Sequence, residues 1–211
     1  MPRLRAVELT CVRRDRVLFE TLSFEIASGE LVYLTGQNGA GKTSLLRTLV
    51  GFHQPQNGDV LFNGASISDA SVKRSYAREL IYIGHKSAVD PHASAFENCQ
   101  FWCAQHGIKV APERVYDVLA TLGLVGLEDI PCVQLSAGQN RRVALARLWL
   151  KPEALLWVLD EPFTALDVHG IELVELHIKS FTENGGSVLL TSHQTLQHVK
   201  QNKTLDLEYR I

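Results

Sequence analysis

The stretch Gly36, Gln37, Asn38, Gly39, Ala40, Gly41, Lys42, Thr43 puts three glycines, a lysine and a hydroxyl between an apolar run and a helical one, with Ser44 next. Glycines let a backbone curl closely enough to aim several N–H groups at phosphate oxygens. Lys42 then reaches the outer phosphates of a triphosphate, and the Thr43 hydroxyl ligates a divalent cation. The order G-x-x-x-x-G-K-[ST] is far more specific than a glycine-rich turn alone. It predicts a site for ATP with Mg2+.

Such a site needs a carboxylate for the metal and a base for water. "LLWVLDEP" supplies both at the tip of an apolar run: Asp160 is placed to hold the metal, and Glu161 to polarise an attacking water. His193 closes another apolar run, "LLTSHQ". A lone histidine is more often a packing or capping residue, but a neutral imidazole facing the γ-phosphate is a suitable donor there.

"LSAGQNRRVALARLWL", from Leu135 to Leu150, reads as a second phosphate site: a turn with Ser136, Gly138 and Gln139 opening a basic amphipathic helix. One phosphate loop cradles a nucleotide from one side only. A second copy of the chain, arranged head-to-tail, would bring its Ser136 and Gly138 to the γ-phosphate from the other side, burying two ATP molecules between the copies. Binding would close the pair and hydrolysis would open it.

The elements that position these groups alternate. "AVELTCV" and "VLFETLSFEI" have the alternation of an antiparallel pair, and "ELVYLTG" reads as a buried strand running into the glycine loop. "KTSLLRTLVGF" has helical spacing, with Leu45, Leu46, Leu49 and Val50 inward and Gly51 as its stop. "QNGDVLFNG" reads as turn, strand, turn. From Ser87 to Leu150 the pattern becomes helical, with a capping box at Ser94 and Glu97 and a helix start at Pro112. "ALLWVLDEP" and "SVLLTSH" are strands flanking a helix over "DVHGIELVELHIKSFTENGG". "TLQHVKQ" reads as a short helix, and "KTLDLEYRI" as an edge strand.

Composition sets the limits. The 211 residues are 45% hydrophobic and 21% charged with a net charge of -2, which suits one globular unit and argues against a nucleic-acid surface. No window approaches the ~18 apolar residues of a membrane span, and the first residues show no secretory signal. The basic groups at Arg13 to Arg16 and at Arg141 and Arg142 read as solvated faces. Cys11, Cys99, Cys103 and Cys132 form no CxxC pair. Cys99, Cys103 and His106 share a helical face, but buried reduced thiols beside a surface histidine explain them better than a metal does.

In order, "GQNGAGKT", "LSAGQ", "VLDEP", "TALD" and "TSH" resemble the ATP-binding subunits of ABC transporters, over essentially the whole chain. The resemblance implies an α/β P-loop NTPase of ABC type, with a mixed sheet core, an N-terminal antiparallel β portion and an inserted helical lobe. It implies one nucleotide-binding domain over 1–211, with a core lobe near 1–84 and 151–211 and a helical lobe near 85–150. It also implies an enzyme that converts ATP and water to ADP and phosphate. Asp160 and Glu161 take the metal and general-base roles, Asp167 that of the family's D-loop aspartate, and His193 the γ-phosphate sensor.

"VLFETLSFEI", "IYIGH", "LEDIP" and "LDEPFTALDVHG" are similar to the subfamily that serves bacterial c-type cytochrome biogenesis. That implies a peripheral subunit on the cytoplasmic face of the bacterial inner membrane, with integral membrane partners resembling CcmB, CcmC and CcmD. Its hydrolysis would energise haem export or the release of a haem-loaded chaperone, with no direct haem binding by this chain. Another ABC exporter, or a soluble ABC scaffold, are the alternatives.

Two positions depart from the family. His85, with Lys86 next, stands where a glutamine usually meets Mg2+; imidazole can ligate a metal or hold a water. Arg13 or Arg14 falls where an aromatic usually stacks on adenine, so a guanidinium would stack instead. The surface from His85 to Trp102 is expected to receive the membrane partner, with Phe96, Phe101 and Trp102 either as contacts or as core of the helical lobe.

Overall fold

The computed structural model describes residues 2–13, 15–192, 194, 196–199 and 203–208. The mixed β core divides into two sheets. Strands β1 (Pro2–Arg13) and β2 (Arg16–Ala27) pair antiparallel, and β1 pairs on its other edge with β4 (Asn57–Phe62), which carries the two-residue β5 (Ala65–Ser66). The second sheet is parallel, in the order β6-β7-β8-β3-β9, from β6 (Leu80–Ile83), β7 (Leu156–Asp160), β8 (Ser187–Thr191), β3 (Leu31–Thr35) and β9 (Lys203–Asp206).

A parallel strand covered on both faces must be largely apolar, and every residue of β7 and β8 is buried, the polar Asp160, Ser187 and Thr191 at their ends included. Successive side chains serve opposite layers. Val32, Leu34 and Val158 pack with Leu45, Leu46 and Leu49 of α1 (Lys42–Leu49) and with Leu4, Leu9 and Phe19 of the antiparallel sheet. Leu31, Tyr33, Trp157 and Leu159 pack with Val174 and Ile178 of α7 (Val168–Glu183).

Between β6 and β7 lie the helices α3 (Ala95–Gln105), α4 (Pro112–Thr121), α5 (Ala137–Leu145) and α6 (Arg147–Leu150), with their own apolar centre around Val115, Leu119 and Val143. The Ser94–Glu97 capping box is present, and Pro112 opens α4. Gly51 ends α1 with φ of 78°.

One element goes beyond the sequence reading and one expectation changes. Helix α2 (Ala70–Glu79), running directly into β6, carries no apolar stripe: it buries only Tyr76, whose hydroxyl donates to the Leu49 carbonyl at 2.9 Å. The short helix expected over "TLQHVKQ" is absent from its described residues, where 197–199 are bends. The backbone N–H groups of Gln197 and His198 donate instead to the buried Glu175 carboxylate of α7, at 3.0 and 2.9 Å.

Candidate nucleotide site

The phosphate loop leaves β3 at its carboxyl end, where open parallel sheets bind ligands. Gly36 has φ of 136°, and a Cβ there would lie 2.5 Å from the Leu207 carbonyl oxygen, just beyond β9. Only glycine fits that path. Gly41 precedes α1 in the left-handed region and offers no side chain to cap it, so the first N–H groups of α1 face outward. A cradle that a Cβ would fill, opening on an uncapped helix end, fits a phosphate chain. The cavity there measures about 420 Å³ and is lined by Gln37, Asn38, Gly39, Gly41, Lys42, Thr43 and Ser44, with Leu18, His85, Asp160 and Glu161. Ala40 is buried, and Gly36 lies against Leu207. The Lys42 ammonium donates to the carbonyls of Gly36 at 2.7 Å and Gln37 at 3.3 Å.

The β7–β8 register sets Asp160 opposite Thr191, and both are buried. The Thr43 hydroxyl donates to Asp160 Oδ2 at 2.9 Å, and the Thr191 hydroxyl donates to Asp160 Oδ1 at 3.0 Å. Thr191 also accepts the Glu161 N–H at 2.9 Å. A hydroxyl and a carboxylate side by side are oxygen donors for a hard cation, and Mg2+ completes its shell with phosphate and water rather than a protein cage. Among the described residues no cluster of three or more His, Cys, Asp or Glu is placed to hold a metal. His85 is exposed on the same cavity.

Glu161 sits at φ of 51°, a left-handed step that costs a non-glycine residue roughly 1–2 kcal/mol. Arg141 offsets it. Its guanidinium donates to the carbonyls of Asp160 (3.0 Å), Glu161 (2.8 Å), Pro162 (3.1 Å) and Gly84 (2.9 Å). Far from lying on a solvated face, Arg141 is 3% exposed. Burial brings its pKa down to about 10, partly opposed by Asp160, so it stays charged at neutral pH. Its neighbour Arg142 reaches the Leu122 carbonyl and pairs with Asp167 at 2.7 Å. Asp167 caps α7 by accepting the Gly170 N–H, and that bond, with Arg142, holds its carboxyl below the usual range.

The signature residues stand elsewhere. Ser136 caps α5 in a reciprocal box: its hydroxyl accepts the Gln139 N–H at 3.2 Å, and its own N–H donates to the Gln139 side chain at 2.8 Å. Gly138 lies so near the Ala165 carbonyl that a Cβ would approach to 2.5 Å. None of 135–139 lines the phosphate-loop cavity. His193 and Arg14 lie outside the described residues. Arg13 is near Cys11 and His53 and does not line the cavity, whose wall there is Leu18, packed on Gly41.

A second concavity, of about 740 Å³, adjoins at His85. Arg47, Lys73, Lys86 and Arg147 line it with Phe52, Tyr82 and Trp102, and no acidic side chain does. Phe96 stacks on Tyr116 within the helical cluster, and Phe101 is 57% exposed. All four cysteines are buried free thiols; burial pushes Cys99 up to about 12 and Cys103 to about 11.

Sequence reasoning missed Arg141, Thr191 and Leu18. Thr191 is the first residue of the quoted "TSH", while nothing local marked the other two.

Known proteins resemble the chain in sequence and in fold. The ABC transporter family matches residues 19–164. The cytochrome c biogenesis ATP-binding export protein CcmA of Escherichia coli (strain K12) is 47% identical over 196 residues, covering 93% of this chain and 91% of that protein. The protein of the same name from Vibrio cholerae serotype O1 is 45% identical over 193 residues, 92% of each chain. Among solved structures, a putative ABC transporter ATP-binding protein from Pyrococcus furiosus superposes with a TM-score of 0.80 at 26% identity, covering 97% of this chain and 96% of that one. A dimeric ATP-binding cassette in a post-hydrolysis state with ADP and Pi shares the fold, with a TM-score of 0.80 at 21% identity over 90% of this chain and 88% of that one. Identity of this extent over nearly the whole length means that the chain belongs to the ABC transporter family of ATPases, in its CcmA branch.

Proposed function

We propose that this ATPase subunit drives a membrane complex for c-type cytochrome biogenesis, energising haem export or the release of a haem-loaded chaperone. The observation that carries the reading is the close kinship with the cytochrome c biogenesis export proteins over nearly all of the chain.

In this reading Gly36 to Ser44 wrap the phosphates, Lys42 neutralises the outer ones, and Thr43 and Asp160 hold Mg2+. The ion supplies charge neutralisation of the phosphates when bound. Glu161 takes a proton from water as that water attacks the γ-phosphorus, and the bond to the β-phosphate oxygen breaks. His193 senses the γ-phosphate, and His85 is an accessory metal or water contact. Ser136, Gly138 and Gln139 serve a second copy's nucleotide, which is supported by their absence from the chain's own cavity. The unit divides into a core lobe near 1–84 and 151–211 and a helical lobe near 85–150.

The concavity beside His85 receives the membrane partner, of the CcmB kind with CcmC and CcmD, through Trp102 and the surrounding cations. No described helix is long and apolar enough to cross a membrane. In this reading the chain attaches to the cytoplasmic face of the inner membrane through those partners.

The test is a mild-detergent pull-down of the tagged chain from its native membranes, with mass spectrometry and a haem absorbance scan. Cytochrome-maturation membrane proteins with a haem band are expected. An unrelated permease would overturn the cytochrome assignment, and soluble partners alone would overturn the membrane one.

A further inference from the structure

Three successive carbonyl oxygens in an extended chain point in alternating directions. Those of Asp160, Glu161 and Pro162 instead converge on one guanidinium, that of Arg141. Convergence requires the backbone to turn sharply at Glu161, which is where the left-handed φ of 51° occurs. The turn is thus fixed from two sides. Thr191 accepts the Glu161 N–H, and Arg141 donates to the Glu161 carbonyl.

Arg141 belongs to α5, the helix that Ser136 caps and that begins at the signature. Its remaining bond reaches the Gly84 carbonyl at the end of β6, beside His85. One buried side chain therefore ties three segments together: the signature helix, the turn bearing Glu161 and the junction that carries His85. Four of its five N–H donors are engaged with carbonyls. A guanidinium spreads these donors in a rigid plane, which neither an ammonium nor a carboxamide reproduces.

We propose that Arg141 is a positioning residue for hydrolysis: it aims Glu161 at the nucleotide and makes that aim depend on where the signature helix sits. When a second copy's nucleotide displaces the start of α5, the displacement reaches the Glu161 turn through Arg141. Occupancy of one nucleotide site then sets the hydrolytic competence of the other within the same chain. This rests on the reading of Glu161 as the base.

The experiment compares the full-length wild type with Arg141→Gln, Arg141→Lys and Glu161→Gln for melting temperature, ATP affinity and steady-state hydrolysis. Arg141→Gln is expected to lower kcat about tenfold or more while KM for ATP stays within about twofold, and to lose cooperativity in ATP. Arg141→Lys, which keeps the charge but not the fork, should fall between the two. If Arg141→Gln does not fold, Arg141→Lys carries the same comparison. A folded variant with wild-type kcat overturns the proposal, as does a fall in ATP affinity that matches the fall in kcat. If Glu161→Gln hydrolyses ATP at the wild-type rate, the base assignment fails. If Glu161→Gln is inactive while the Arg141 variants turn over normally, only the positioning role of Arg141 fails.

Discussion

Replacing Thr191 by valine keeps the shape of a fully buried side chain and removes only its hydroxyl. That oxygen accepts the Glu161 N–H at 2.9 Å and donates to Asp160 Oδ1 at 3.0 Å. A buried N–H left without an acceptor costs about 1–3 kcal/mol, and a hydrogen bond to a charged group contributes about 1.5–3 kcal/mol. One oxygen makes both contacts, so the two losses do not add fully, and about 3 kcal/mol is expected. In a chain of this size that corresponds to a fall of about 6–12 °C in melting temperature. Thr191→Ser keeps the oxygen and loses one buried methyl, for about 1 kcal/mol. Urea unfolding of the three proteins measures the difference, and hydrolysis should fall with Thr191→Val because Asp160 and Glu161 lose their common anchor. The reasoning is refuted if Thr191→Val unfolds within about 0.5 kcal/mol of wild type, or if serine proves more damaging than valine.

Gly138→Ala would set a Cβ 2.5 Å from the Ala165 carbonyl, and ordinary contact begins at 3.4 Å. The start of α5 must then move by roughly 0.9 Å, and a misplacement of that size is expected to cut hydrolysis about 100-fold while ATP still binds; single-turnover kinetics beside a binding titration check this. Glu161→Gln should keep ATP binding and trap a closed pair of chains, which light scattering with and without ATP detects; turnover at the wild-type rate would remove the general base. His177, stacked on Trp149 at 3.9 Å, is held below the ordinary imidazole value of 6.5 chiefly by burial, which its contact with the Leu148 carbonyl opposes. The unfolded chain therefore binds a proton that the folded chain does not. Stability should rise with pH through the window below 6.5 and level off above it, and His177→Gln should flatten that slope in urea midpoints taken across the window.

What was legible in the sequence is what is contiguous. The phosphate loop, the signature and the pair Asp160 and Glu161 each complete their pattern within a few residues, so residue types and spacing suffice. Long-range placement leaves no such trace. Arg141 and Arg142 are adjacent and look alike, yet one is buried on four carbonyls and the other pairs with Asp167 near the surface. The difference depends on which face of α5 meets the ends of β6 and β7. Thr191 acquires its role from the parallel register of β7 and β8, strands separated in sequence by α7. Helix α2 escaped notice because one tyrosine is all it buries. The bends at 197–199 follow from a carboxylate on α7 that no local pattern announces.

The pairing of β3 with β9 bears on how the protein is made. Thr35, at the base of the phosphate loop, donates its hydroxyl to Asp206, 171 positions later, and the Leu207 N–H returns to the Thr35 carbonyl. A ribosome adding ~5–20 residues each second delivers that neighbour roughly ten to thirty seconds after the loop has been synthesised. Until then β3 is an open edge, and nothing presses Gly36 into its path. ATP therefore cannot act as an early ligand that stabilises the growing chain. Its binding marks a chain in which β9 has docked against β3.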